Sequence, residues 1–173
     1  ERNKQIGLNT VYGNLGLFAS LEKDYNLTEK LYLKTLESRK LIEDIDGEMY
    51  SYAQLVNLYL NTNNKFKANE YSSKAAILYE KINSSKNHES IYFHRNYSYV
   101  IHQFGERYFI ENEFQIALDY FNRAKTLLKD FPDELPGVNS FISKCYLGLE
   151  DYNSAERIAI ENLTKSSLGF NQK

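Results

Sequence analysis

Residues 101–124 read IHQFGERYFIENEFQIALDYFNRA. Apolar and small residues recur in this segment at the three- and four-residue spacing of a helix, and a polar break at residues 111–113 divides them into two series. The first series is Ile101, Phe104, Gly105 and Tyr108, and the second is Phe114, Ala117, Leu118, Phe121 and Ala124. Small residues let two helices approach closely, and aromatic rings fill the space between them. The segment therefore predicts two amphipathic helices folded back on each other.

Three further segments repeat this arrangement with variations. Their first series are Tyr12-x-x-Leu15-Gly16, Tyr52-x-x-Leu55-Val56 and Asn139-x-x-Ile142-Ser143. The equivalent residues Leu15, Leu55, Phe104 and Ile142 lie 40, 49 and 38 residues apart. This spacing predicts four units, at approximately 9–47, 49–86, 89–131 and 134–167. In the first unit we expect the returning helix to run through Leu41 and to end at Gly47, because glycine commonly closes a helix.

The pattern resembles the tetratricopeptide repeat (TPR), whose signature the series Ile101-x-x-Phe104-Gly105-x-x-Tyr108 and then Ala117-x-x-x-Phe121 follow. This resemblance implies an all-α fold, a right-handed α-α superhelix of about four helix pairs, with residues 1–173 as a single domain of a longer protein. The units exceed the usual length of about 34 residues. In this respect they are similar to the TPR regions of bacterial signalling proteins, namely sensor histidine kinases and transcription regulators.

The charge balance argues against two classes of partner. Lysine and arginine number 21 against 23 aspartate and glutamate residues, and no basic block is present that could follow a phosphate backbone. No apolar run reaches the length of about 18 residues that a membrane-spanning helix needs. We therefore expect neither nucleic-acid binding nor membrane insertion by this segment. The chain starts at Glu1 rather than Met, so the compartment stays open, with the cytoplasm favoured and the periplasm as the alternative if a leader has been removed.

The residues that commonly carry catalysis or metal binding are sparse or badly spaced. Cys145 is the single cysteine, so an internal disulfide and a paired-cysteine metal site are excluded, and we interpret it as a packing residue. His94 and His102 are eight residues apart, which on a helix separates them by about 80° and two turns. No glycine-rich phosphate loop or nucleophile motif occurs. The sequence predicts no cofactor, no metal and no enzyme activity.

In the TPR family the first helix of each pair lines a concave groove that holds a peptide or a protein segment. The family's spacing, transferred to this sequence, assigns to the groove Tyr50, Asn57 and Leu60 of the second unit, Tyr99, His102, Glu106 and Phe109 of the third unit, and Lys144 of the fourth. The resemblance thus implies a non-catalytic module that binds a protein or peptide and serves as the sensor or scaffold region of a bacterial signalling or regulatory protein.

The alternative is a structural role, in which the segment is an oligomerisation or spacer region without a groove ligand. The apolar residues near the C-terminus that favour this alternative are Ile158, Ile160, Leu163, Leu168 and Phe170. They predict a homo-oligomer that forms through the C-terminal end.

Overall fold

Short polar breaks end one helix and begin the next along the whole chain. The structure is a computed structural model that describes residues 2–85 and 90–170, with the side chains of 85 and 164–170 left out. Within these ranges the chain forms eight α-helices and no strand. They are α1 (Arg2–Leu21), α2 (Tyr25–Leu41), α3 (Ile45–Asn61), α4 (Lys65–Ser85), α5 (Ile91–Ile110), α6 (Phe114–Leu127), α7 (Leu135–Gly148) and α8 (Tyr152–Phe170). The predicted all-α class and the four helix pairs are confirmed.

The helices group into two compact units, Glu1–Val100 and Ile101–Lys173. In the first unit α1 packs on α2, α2 on α3, and α3 on α4; in the second unit α6 packs on α7, and α7 on α8. All of these contacts join helices that are neighbours in the sequence, as expected of a repeated helix pair. The single domain over residues 1–173 stays a prediction.

Five of the connections between helices are tight turns of one kind. Each contains one residue in the left-handed region, and these residues are Lys23, Glu43, Asn63, Asn112 and Glu150, with φ between 55° and 62°. Residues other than glycine and asparagine adopt this conformation at a cost of about 1–2 kcal/mol. None of the five is a glycine. The turns are therefore held by the hydrogen bonds and packing around them rather than by glycine's conformational freedom.

The residue that follows the left-handed position caps the next helix in four of these turns. A side-chain oxygen accepts the backbone N–H three residues further on, at 3.0–3.1 Å. The capping residues are Asp24, Asp44, Asn64 and Asp151. Such caps satisfy one of the N–H groups that a helix start leaves without a partner, and each stabilises the helix by about 1 kcal/mol.

The prediction that the second helix ends at Gly47 is wrong. Helix α2 ends at Leu41, and α3 has already begun at Ile45. Gly47 lies in the first turn of α3, where its N–H donates to Asp44 Oδ1 at 3.0 Å. A Cβ at this position would overlap the Asp44 carboxylate and lie 2.9 Å from Cδ of Arg39. The glycine thus makes room for a helix start, whereas the sequence pattern was interpreted as a helix end.

Helices α5 and α6 approach each other at Gly105. A Cβ added there would lie 2.7 Å from Cε1 of Phe121, a ring that is completely buried. Ala117 is buried as well. On the flank of this contact, Tyr120 of α6 stacks on Phe104 and on Tyr108 of α5, with ring centroids 5.9 and 5.4 Å apart. The predicted packing of small residues against rings is confirmed at this pair.

Cys145 belongs to the core of the second unit. It is buried in one cluster with Phe121 of α6, Ile142 of α7 and Ile158 of α8. Burial raises the pKa of its thiol to about 11, because the thiolate loses its hydration there. The cysteine is a packing residue, as the sequence predicts.

We expect Gly105→Ala to destabilise the second unit by about 1–3 kcal/mol, the usual cost of overpacking a closed core. Gly137→Ala is the matched control, because a Cβ there meets nothing within 4 Å and alanine favours helix by up to about 1 kcal/mol. Urea unfolding of the two variants measures the difference. Equal midpoints for both would show that the Phe121 ring moves aside at little cost.

Replacing Glu150 by glycine should stabilise the chain by about 0.5–1 kcal/mol. Glycine adopts the left-handed conformation without strain, and this gain in free energy exceeds the entropic cost of its greater freedom in the unfolded state. Asn112→Gly should change the free energy of unfolding little, since asparagine tolerates this conformation. Both residues lie in exposed turns of the same unit. A loss of stability in the Glu150 variant would mean that its side chain makes a net favourable contribution.

Candidate functional site

An aromatic cluster in the second unit brings together residues of α5 and α7. Phe141 of α7 lies at its centre, with its ring stacked on Phe121 at 4.9 Å between centroids. The rings of His102 and Phe109, both on α5, meet Phe141 edge-on at 5.2 and 5.8 Å. The ammonium of Lys144 lies 5.0 Å from the centroid of the Phe141 ring. Three predicted groove residues, His102, Phe109 and Lys144, thus share one aromatic partner.

Glu106 lies one turn after His102 on α5. The Nδ1 atom of His102 is 3.8 Å from Oε1 of Glu106, which is longer than a hydrogen bond. We use the term α5/α7 face for the set His102, Glu106, Phe109, Phe141 and Lys144. Apart from the exposed Lys144, its members are half-buried. The face therefore offers apolar rings with a few polar groups among them.

Burial shifts the pKa values of His102 and Glu106 on α5. It lowers the pKa of His102 below its usual value of 6.5, and it raises the pKa of Glu106 above its usual value of 4.5. Both shifts favour the neutral form, because a half-buried charge loses hydration. At neutral pH His102 is an uncharged imidazole with one donor and one acceptor nitrogen. The side chains of His102, Glu106 and Lys144 can therefore form hydrogen bonds with peptide groups and with polar side chains.

The predicted residues of the second helix pair lie on α3. Tyr50 is exposed, and the guanidinium of Arg39 lies 5.6 Å from its ring centroid. Asn57 accepts a hydrogen bond from Nδ2 of Asn61 at 2.8 Å, and Leu60 is half-buried. Spacings of seven and three residues place Tyr50, Asn57 and Leu60 on one side of the helix.

Tyr99 lies on α5 within the first unit, three residues before His102, which belongs to the second. Its ring is half-buried, and the guanidinium of Arg95 is 5.5 Å from its centroid. The assignment of all eight residues to one groove stays a prediction.

Sequence reasoning missed the residue at the centre of the α5/α7 face. The family spacing selects Lys144 on α7 and passes over Phe141. The available signal was an aromatic residue directly before Ile142, beside a helix already known to carry Phe109. It missed Arg39 as well. This mostly buried side chain donates from Nη1 to the carbonyl of Gly47 at 2.9 Å and to Oγ of Ser51 at 2.8 Å, joining α2 to α3.

Among the described residues, no group of three or more histidine, cysteine, aspartate or glutamate side chains is arranged to hold a metal ion. No helix within the described ranges is both long and apolar enough to cross a membrane. Of the residues that favour the predicted C-terminal homo-oligomer, Ile158 is buried in the core, and Ile160 and Leu163 are exposed. The side chains of Leu168 and Phe170 lie outside the described residues.

Comparison with known proteins identifies the fold and no more. No protein-family model matches the sequence, and no curated protein matches it. Solved structures do match, 35 chains in all, among them the crystal structure of BtubC (BKLC) from P. vanneervenii. That match has a TM-score of 0.70 at 12% sequence identity and covers 96% of this chain. This chain spans 65% of the length of that one.

The lowered pKa of His102 predicts a loss of stability in acid. The unfolded chain takes up a proton near pH 6.5 and the folded chain only at lower pH, so this contribution is complete above pH 6.5 and is lost as the pH falls towards the folded pKa. Glu106 acts in the opposite direction, since its raised pKa favours the folded state as the pH falls. Wild type should therefore lose more stability than His102→Gln between pH 7.5 and 5.5 in urea unfolding.

The same histidine can be followed by NMR. The imidazole resonances that disappear in His102→Gln belong to this residue, and we expect them to titrate below pH 6.5. A titration midpoint above that value would contradict the burial argument and would make His102 and Glu106 a true ion pair.

Proposed function

We propose that the chain is a TPR-like module without catalytic activity that binds a peptide or a protein segment, as the sensor or scaffold region of a bacterial signalling or regulatory protein. The observation that carries this proposal is the α5/α7 face. Half-buried rings on two helices, with a carboxyl group on one and an ammonium on the other, suit the alternating side chains and amide groups of an extended segment.

The face also suggests what the segment contains. Phe109 and Phe141 provide contact area for one apolar or aromatic side chain, and rings of this kind commonly dominate binding energy. Lys144 on α7 would attract an acidic residue of the segment. The neutral imidazole of His102 can donate to a backbone carbonyl or accept from a backbone N–H. We therefore expect a short segment with an apolar anchor and an acidic neighbour.

Selection from a random peptide library displayed on phage tests this proposal. Selected peptides would be synthesised with a fluorophore, and their Kd measured by anisotropy against wild type and variants. Phe109→Ala should weaken binding at least tenfold, which corresponds to about 1.4 kcal/mol. Phe66→Ala is the matched control, since this aromatic residue is 81% exposed on α4 of the other unit, and it should bind like wild type.

Charge reversal at Lys144 provides a second test, which does not depend on the stability of the aromatic cluster around Phe141. Lys144 is exposed, so Lys144→Glu should keep the circular dichroism of wild type. The substitution should weaken the binding of acidic peptides. Peptides in which the acidic residue is changed to lysine should bind the variant again. The proposal fails if no peptide is enriched over the library background, or if Phe109→Ala and Lys144→Glu both bind enriched peptides as wild type does.

A further inference from the structure

Glu106 on the α5/α7 face is a half-buried carboxylate that lacks a cationic partner. Its side chain is 39% exposed, and Nδ1 of His102 lies 3.8 Å from its Oε1, outside hydrogen-bond range. His102 is neutral at neutral pH, so it supplies no positive charge. Among the described residues, no lysine or arginine forms an ion pair with Glu106. The carboxylate therefore loses hydration without the compensation of an opposite charge.

Two glutamates of the first unit show what such a carboxylate has elsewhere in the chain. The side chain of Glu29 is 30% exposed, close to the value for Glu106, and Nζ of Lys67 lies 2.6 Å from its Oε1. Nζ of Lys40 lies 3.6 Å from Oε1 of Glu48. Lys67 lowers the pKa of Glu29, whereas burial raises the pKa of Glu106. The two side chains have similar exposure, so the missing cation accounts for the opposite shifts.

The cations closest to Glu106 in the sequence and on the neighbouring helices are held by other groups. Arg107, the next residue on α5, places Nη2 2.8 Å from Oε1 of Glu111. Helices α6 and α7 carry three cations, and each has another contact: Arg123 over the ring of Tyr120, Lys125 at 3.8 Å from Glu161, and Lys144 over the ring of Phe141. The second unit thus leaves a carboxylate on the α5/α7 face that a cation from a ligand can pair with.

The surroundings of this carboxylate suit the side chain of a lysine or an arginine. The rings of His102 and Phe109, on the turns before and after Glu106, both meet Phe141 edge-on. Lysine and arginine bury an apolar stem along such rings while the charged end stays with a polar group. Aromatic rings also attract a cation that lies over their faces. A basic side chain therefore satisfies both the rings and the carboxylate.

Glu106 and Lys144 hold equivalent positions on the two first helices of this unit. Each follows by two residues the equivalent residues Phe104 and Ile142. These two described side chains form no ion pair with each other. Helices that touch lie about 10 Å apart, and an extended chain advances about 3.3 Å per residue. A segment that crosses from α7 to α5 therefore passes from Lys144 to Glu106 in about three residues.

We propose that the segment bound by the α5/α7 face carries a lysine or arginine that pairs with Glu106, about three residues from the acidic residue that Lys144 attracts. The pairing rests on the proposed function, since it concerns the same segment. Opposite charges on α5 and α7 also set how the segment lies, with its acidic residue over α7 and its basic residue over α5. The reverse placement would bring like charges together, which opposes binding.

Parallel selections from the same phage-displayed random library test this assignment. One uses wild type and the other uses Glu106→Gln, which keeps the shape of the side chain and removes its charge. Peptides enriched on wild type should carry a lysine or arginine about three residues from an aspartate or glutamate. Peptides enriched on Glu106→Gln should keep the apolar anchor and the acidic residue and lose the preference for a basic one.

The strength of the pairing is measured with one enriched peptide and a copy in which norleucine replaces the basic residue. Norleucine keeps the apolar stem of lysine without its charge. Anisotropy should give about a fivefold larger Kd for the norleucine peptide on wild type, the effect of a partly exposed ion pair, and equal Kd values for the two peptides on Glu106→Gln. The comparison on wild type needs no variant, so it holds even if Glu106→Gln loses its circular dichroism.

Glu156→Gln is the matched control. It removes the same charge from an exposed position on α8, a helix that contributes no residue to the α5/α7 face. This variant should distinguish the two peptides as wild type does. Charge reversal in Glu106→Lys should invert the preference, so that a peptide with glutamate in place of the basic residue binds this variant more tightly than the parent peptide.

Enriched peptides without a basic residue would overturn the pairing, as would a norleucine peptide that binds wild type as tightly as its parent. A loss of equal size on wild type and on Glu106→Gln would overturn it as well. In these cases Phe109→Ala and Lys144→Glu still report whether the face binds peptides, so the proposed function is judged separately. If no peptide is enriched on wild type, the proposed function fails and the pairing fails with it.

Discussion

The close approach of α5 and α6 at Gly105 is the constraint on which the packing of the second unit depends. Without a side chain at this position, the ring of Phe121 fits against the helix backbone and is completely buried. That ring then supports two further contacts, with His102 at 5.0 Å and with Phe141 at 4.9 Å. The absence of one methyl group therefore determines where the aromatic residues of the α5/α7 face lie.

A repeated turn joins the two helices of each pair. Five connections place a residue with positive φ before the start of a helix, and four of them then cap that helix with an aspartate or asparagine side chain. Similar turns give similar relative positions of the two helices they join. Equivalent residues also meet where the connections differ: Gln54 contacts Tyr32 across the Glu43 turn, and Phe141 contacts Phe121 across a connection that contains a short 3-10 helix. Register, rather than residue identity, is what the repeats share.

The sequence was sufficient to predict the features that depend on residues within one helix pair. Helical spacing predicted the pairs, and the contrast of Gly105 with Phe121 predicted how one of them packs. It was insufficient where a residue's role depends on the next helix. Gly47 was interpreted as a helix end, but glycine in a sequence does not show by itself whether a helix ends or begins there. The hydrogen bond from the Gly47 N–H to Asp44 Oδ1 shows that a helix begins there. Phe141 was missed since spacing along α7 does not show which ring of α6 it meets.

Within the second unit, equivalent positions of the α5/α6 and α7/α8 pairs carry different residues. In a repeat array each pair gains stability from contacts with its neighbours. The α7/α8 pair has Asn139, Ser143 and Ala159 where the preceding pair has Ile101, Gly105 and Phe121. Burial of a phenylalanine side chain contributes about 1.5–3 kcal/mol, and an unpaired buried amide costs about 1–3 kcal/mol. These two differences add in the same direction. The α7/α8 pair therefore gains less stability from these positions than α5 and α6 gain from theirs.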